Sequence, residues 1–274
     1  MAGKIYKFLT LDGAKPRTFG VVVDLRSQVD PLSMPHLPDF ARIACDHPGA
    51  YAFGKIAILA GDGIHTFQAT ADGEVESAFC GNSTAAAIRA MQTEGPLKAS
   101  LYGTATEPYG LSARVAGDLV EQTWQFPAPP VQTREWQGRK VITLRSVNDY
   151  AILFGNLPDG MSAQAAREEL VGSSPATKLA VVAETGDQPL VEFYNSNGRH
   201  GSAPLTGLAA IALAARSLPW VQNCFPTGEL KCNAASGERS VSLPVIGSSS
   251  QDEVSLEFGQ LAVSLEPVLA KVPG

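Results

Sequence analysis

Apolar positions along the chain fall into two kinds of run. Short runs rich in β-branched and aromatic residues predict strands, among them FGVVVDL, KIAILAG, GDLVEQTWQF, KVITL, YAILF, KLAVVAE, PLVEFY, SVSLPV and EVSLEFG. Only a few helical stretches interrupt them, which predicts a mixed α/β or α+β protein. Two of those helices are small and apolar nearly all round, as a helix enclosed by other elements must be. The first starts at Asn82 and runs through STAAAIRAMQ to Gly95-Pro96; the second starts near Thr206, runs through GLAAIALAARS and stops at Leu218-Pro219. A weaker helix is predicted over SAQAAREELVG with Asp159 or Ser162 as its cap, and a fourth over HLPDFARIACD.

The two enclosed helices sit in matching contexts. KIAIL begins at Lys55, 27 residues before Asn82, and KLAVV begins at Lys178, 28 residues before Thr206. This is the pattern of one unit written twice. Between the copies, QFPAPPVQTREWQGRK has the prolines and polar residues of a linker. The boundary is placed near Val131, giving an N-terminal domain over 1–130 and a C-terminal domain over 131–274 whose last strand is free to return to the first. If each half wraps its strands around its own helix and the halves face one another, both helix N-termini point at a shared cleft. Each end offers unpaired N–H groups and stabilises a carboxylate by about 0.3–1 kcal/mol.

Composition narrows the function classes. The chain has 274 residues, 45% hydrophobic and 18% charged, with a formal charge of −6. That is enough apolar material for one large core or two ordinary ones, and the acidic balance argues against a nucleic-acid surface while leaving small anions as ligands. MAGKIYKFLTLDG lacks the apolar core of a signal peptide, and no stretch approaches the roughly 18 apolar residues of a membrane span, so a cytoplasmic protein without membrane partners is expected. A homodimer is compatible with this composition. Cys45, Cys80, Cys224 and Cys232 are too scattered for a disulfide framework or a zinc knuckle. Three of them are read as structural; Cys80 is different.

Cys80 falls about one residue before the first enclosed helix. The thiolate is the reactive form of cysteine, and a helix N-terminus or a neighbouring cation favours it. Such a group serves as a nucleophile or as a base that takes a proton from carbon. Matching the second helix start to the first sets Pro204 against Cys80. A symmetric pair of thiols, one removing a proton and its twin returning one, is thereby disfavoured. Lys55 is either a catalytic cation or a strand-edge residue reaching solvent, and Arg145 either grips a carboxylate in bidentate fashion or forms a surface salt bridge. Arg89 is read as structural.

CGNST leading into an alanine-rich helix, together with FGKIAIL and HGSAPLTGLAAIALAA, resembles the diaminopimelate epimerase-like superfamily, most closely its 2-methylaconitate isomerase and 4-oxalomesaconate tautomerase branch. About thirty residues carry the likeness. It implies an α+β fold of two similar, pseudo-twofold-related domains, each a barrel-like sheet around a central helix, with the site between them. Cys80 matches the acid–base cysteine and Lys55 resembles the lysine that works opposite it. By the same resemblance Gly81, Asn82, Ser83 and Thr84 bind substrate at one helix end, Thr206 and Gly207 at the other, and His200 stands where that branch also has histidine. His200 also replaces the glutamate with which epimerases hold an amino group, which disfavours an amino-acid substrate.

The expectation that follows is a cofactor- and metal-independent isomerase or tautomerase that moves a proton, and with it a double bond, along a small unsaturated di- or tricarboxylate. Two alternatives stand beside it: a carboxylate-binding relative with reduced catalysis, suggested by Pro204, and an amino-acid racemase or epimerase working with a single cysteine.

Overall fold

Most of the apolar runs become strands, and their pairing places the two enclosed helices. The computed structural model describes residues 4–12, 15–27, 54–61, 63–69, 75–91, 95–102, 108–145, 148–174, 176–235, 237–247 and 252–268. Cys45 and the helix expected over HLPDFARIACD lie outside them. The chain divides into two units, Met1–Phe126 with Glu257–Gly274, and Pro127–Leu256.

The first unit contains β1 (Lys4–Asp12), β2 (Lys15–Asp24), β3 (Lys55–Ala60), β4 (Gly63–Ala69), β5 (Val75–Ser77), helix α1 (Gly81–Ala90), β6 (Gly95–Tyr102), β7 (Tyr109–Ala116) and β8 (Leu119–Pro127). Its ring runs β1-β2-β3-β4-β6-β7-β8 and is completed by β18 (Glu253–Val268), which also pairs with β1. The sheet is therefore a closed eight-stranded barrel with no free edge around the ring. Helix α1 packs against β1, β2, β3, β4 and β7, and every one of its residues except Arg89 is buried. A helix with five ring strands against it has room for little more than methyl groups, which accounts for Ala85, Ala86, Ala87 and Ala90. On the opposite face of β2, β3 and β4, Val21, Val23, Leu25, Ile56, Ile58 and Phe67 form a second cluster. Burial on both faces gives KIAIL its unbroken apolar run.

The second unit contains β9 (Val131–Trp136), β10 (Arg139–Arg145), β11 (Asp149–Phe154), α2 (Ala163–Val171), β12 (Thr177–Val182), β13 (Leu190–Asn195), β14 (Gly198–Arg199), α3 (Leu205–Ser217), α4 (Pro219–Gln222), β15 (Glu229–Ala234), β16 (Gly237–Ser242) and β17 (Val245–Gly247). Its sheet order is β16-β15-β13-β12-β11-β10-β9, with β14 on β13. From β10 onward the pairings repeat those of the first unit from β1 onward: antiparallel, parallel, antiparallel, then parallel and antiparallel again. In each copy the enclosed helix lies between the fifth and sixth strands of the repeat. The repeat seen in the sequence is thus also a repeat of topology.

The stretch expected to be a linker is mostly strand. Only 128–130 lie between β8 and β9, and β9 and β10 form a hairpin across Gln137 and Gly138. Both turn residues have positive φ, 50° and 73°, the geometry that two-residue hairpins require. β9 reads as polar because it ends its sheet, with Gln132, Thr133, Arg134 and Glu135 exposed. The helix over SAQAAREELVG forms, and Ser162 is its cap, accepting from Ala165 N–H at 3.1 Å. Among the described residues no helix is long and apolar enough to cross a membrane.

Candidate active site

The path into α1 is set by β4 and β5. Ser77 pairs with Phe67, Ala78 N–H donates to Thr66 O at 3.1 Å, and two residues later the backbone turns into the helix. Cys80 is the N-cap, with extended φ −142° and ψ 109°, and its side chain makes no capping hydrogen bond. The helix's own bonding starts with Thr84 N–H to Cys80 O at 2.9 Å. The N–H groups of the residues between have no carbonyl one turn back, so the end keeps its partial positive charge. No acidic residue in the first turn neutralises it. Cys80 is a free thiol, 9% exposed.

The other residues of the CGNST segment divide by what their side chains already do. Thr84 Oγ1 donates to Cys80 O at 2.9 Å, so its proton is used within the cap. Ser83 is fully buried, and its Oγ makes no hydrogen bond among the described residues. Asn82 is buried beside it. Gly81 O accepts from Gln122 Nε2 at 3.1 Å, and Gln122 Oε1 accepts from Trp124 Nε1 at 3.0 Å. These buried bonds tie the first helical residue to β8.

Lys55 opens β3, and its Nζ donates to Gln68 Oε1 at 2.7 Å across the β3–β4 pair. A neutral amide orients the ammonium without cancelling its charge. The Lys55 and Cys80 side chains make no hydrogen bond to one another. Gln68 was not read as a site residue: it follows Lys55 by 13 positions, and only the antiparallel register brings the two together.

In the second unit Pro204 is the N-cap of α3, again with no side-chain cap and no acidic residue in the first turn. Thr206 Oγ1 lies 3.1 Å from Tyr150 Oη, a contact between β11 and the helix start that spacing did not reveal. A Cβ on Gly207 would come within 2.5 Å of the Phe193 ring, so glycine there lets the helix sit against β13. His200 is half-buried and its backbone N–H donates to Phe193 O at 2.7 Å. Its Nδ1 lies 2.5 Å from Ser202 O and 3.2 Å from Ser202 N. A protonated Nδ1 donates to the carbonyl and an unprotonated one accepts from the N–H, so the turn accommodates either form. Arg145 is 70% exposed and its Nε is 3.4 Å from Asp149 Oδ1, the surface salt bridge of its two readings. Arg89 pairs with Asp118 at 3.1 Å.

Lys178, the mark by which the repeat was recognised, is 7% exposed, yet it received no chemical role from the sequence. Cys232 is buried, and Cys224 Sγ donates to Trp220 O at 3.3 Å, in keeping with structural roles. Among the described residues no three His, Cys, Asp or Glu side chains gather around a metal-sized space.

No protein-family model matches this sequence, and no curated protein sequence matches it. Solved structures do match. A predicted epimerase from Pseudomonas aeruginosa superposes with a TM-score of 0.61, a protein described under phenazine biosynthesis PhzC/PhzF from Clostridium difficile strain 630 with 0.56, and a phenazine biosynthesis PhzF-family protein from Enterococcus faecalis with 0.54. Each is 12% identical, and the superposition covers 98% of this chain and 100% of the other. At this identity the likeness is one of fold, and the fold is that of the diaminopimelate epimerase-like proteins.

Proposed function

We propose that this diaminopimelate epimerase-like chain is a cofactor-independent isomerase that shifts a proton and a double bond in a small unsaturated di- or tricarboxylate. The observation that carries the reading is Cys80: a free thiol at the uncapped N-terminus of a helix enclosed by a closed barrel. An uncapped helix end with no acidic residue in its first turn keeps a partial positive charge that supports stabilisation of a developing anion.

In the reaction, a base takes the proton from the carbon adjacent to a carboxylate or carbonyl. The freed electron pair moves into a new double bond as the old one opens toward the far carbon. An acid then delivers a proton there. No electron is gained or lost, so acid–base groups and a charge-stabilising helix end suffice. Cys80 and Lys55 are assigned as base and acid, in an order the substrate's chemistry decides. Gln68 supports the role of Lys55 by orienting its ammonium through an uncharged acceptor.

The test is deuterium wash-in from heavy water into a panel of unsaturated di- and tricarboxylates, followed by NMR. Wild-type protein is expected to label one of them, with Cys80→Ser and Lys55→Ala each slower by roughly 10²–10⁴-fold, the usual contribution of a positioned acid or base. Wash-in at the wild-type rate in both variants overturns the assignment. Binding of a carboxylate without labelling favours a relative that holds the ligand and does not turn it over.

A further inference from the structure

The C-terminal half of α3 borders a cavity of about 950 Å³ that the reaction as written does not use. Its described walls all belong to the second unit: α3, the loop from the end of α4 to β15, and the segment that leads into β17. Arg216 stands ten residues after Thr206 (216 − 206), about 15 Å along the helix. The cavity is therefore at the end of α3 away from the turn that carries Thr206 and Gly207.

Backbone bonds fix its frame. Asn223 N–H donates to Pro219 O at 3.1 Å, Phe225 N–H to Gln222 O at 3.0 Å and Gly228 N–H to Phe225 O at 3.1 Å, which winds the loop into consecutive turns. Gly228 O accepts from Leu243 N–H at 2.8 Å and ties that loop to the segment entering β17. Ala212 and Phe225, each 4% exposed, are the buried part of the lining, whereas Gln222, Asn223, Pro226 and Thr227 are exposed and mark its open side. Leu243 and Ile246 add further apolar surface. A volume of this size, mainly apolar with few polar groups, is that of a small-molecule site.

Among the described residues that line the cavity, Arg216 is the one charged side chain. Arg89, Arg145 and Arg199 each face a carboxylate. Arg216 makes no ion pair or hydrogen bond among the described residues. The last turn of a helix favours a cation, but that leaves the guanidinium fork itself unmatched beside an apolar space. The fork takes both oxygens of a planar carboxylate. A single positive charge balances one carboxylate, whereas a phosphate monoester brings close to two negative charges at neutral pH. We propose that this cavity binds a small organic acid, its carboxylate on Arg216 and an apolar, ring-sized body against Phe225, Leu243 and Ile246. The site is additional to the one assigned to Cys80 and Lys55, and neither reading depends on the other.

The experiment is fluorescence titration of the full chain with 2-naphthoate and with its uncharged counterpart 2-naphthamide, at constant ionic strength. Wild type is expected to bind the acid about tenfold or more tightly than the amide, as a charge-assisted hydrogen bond implies. Arg216→Gln is expected to lose that preference and Arg216→Lys to keep part of it. Ala215→Phe, which fills the cavity from its helical wall, is expected to weaken both probes. Should Ala215→Phe fail to fold, the two Arg216 variants decide, since that side chain is exposed. Deuterium wash-in on any substrate that wild type labels is expected to be unchanged in Arg216→Gln. No binding of 2-naphthoate by wild type, or a preference for it that survives Arg216→Gln in full, overturns the proposal and leaves the isomerase reading standing.

Discussion

At Gly207 two effects of a single methyl group oppose each other, and their magnitudes decide the outcome. Alanine is favoured over glycine inside a helix by about 1 kcal/mol. Here the new Cβ would stand 2.5 Å from the Phe193 ring and 2.9 Å from Pro204, and Phe193 is 2% exposed with little room to retreat. Overpacking of this kind costs roughly 1–3 kcal/mol. Gly207→Ala is expected to be less stable than wild type by urea unfolding, whereas Gly207→Ala combined with Phe193→Leu is expected to recover part of the loss. A single substitution that stabilises the protein refutes this packing. The same contact explains why a glycine follows Thr206 at a helix start where glycine's flexibility is not needed.

The end of β2 supplies the clearest dependence on pH at the level of an element. Asp24 accepts from Arg26 Nε at 2.9 Å, from its NH2 at 2.8 Å and from its backbone N–H at 3.1 Å. Burial pushes the Asp24 carboxyl up, but these bonds and the Arg26 charge outweigh it and hold the group below the ordinary carboxylate range. A carboxyl whose folded-state pKa lies below its unfolded value stabilises the fold above the unfolded value, and that contribution is lost as pH falls through the folded one. Asp24→Asn is therefore expected to flatten the decline of the urea midpoint below about pH 4 while lowering stability at pH 7. A parallel decline in both proteins refutes the assignment. Helix α2 shows another way of holding a charge. Arg167, fully buried, donates to the carbonyls of Gly172 and Ser174 at 3.1 Å and of Thr177 at 3.2 Å, binding the loop that leads directly into Lys178.

For the molecule as a whole, β18 is the strand on which closure depends. It comes from the end of the chain, yet it pairs with β1 from the beginning and completes the ring around α1. A chain ending at Leu256 is expected to lose the first unit's cooperative unfolding and to expose the apolar residues around α1 to limited proteolysis. An intact, protease-resistant first unit after that truncation overturns the role given to β18.

Legibility followed the range of the interaction. KIAIL and KLAVV, the two alanine-rich helices and Cys80 at a helix mouth could be read because periodicity and capping are local. The hairpin of β9 and β10 was mistaken for a linker because a strand at the end of a sheet carries polar residues that, read alone, resemble a loop. Gln68 beside Lys55 and Tyr150 beside Thr206 were invisible because sheet register joins residues that sequence distance separates. Lys178 was visible as a position and silent as chemistry, since its burial depends on which face of β12 it occupies. By itself the sequence determined the duplicated α+β unit, its two enclosed helices and the thiol at one of them, all consequences of short-range spacing and side-chain size. Only the tertiary structure decided how the barrel closes, which group holds Lys55 and which hydroxyl meets Thr206, because those follow from contacts between distant segments.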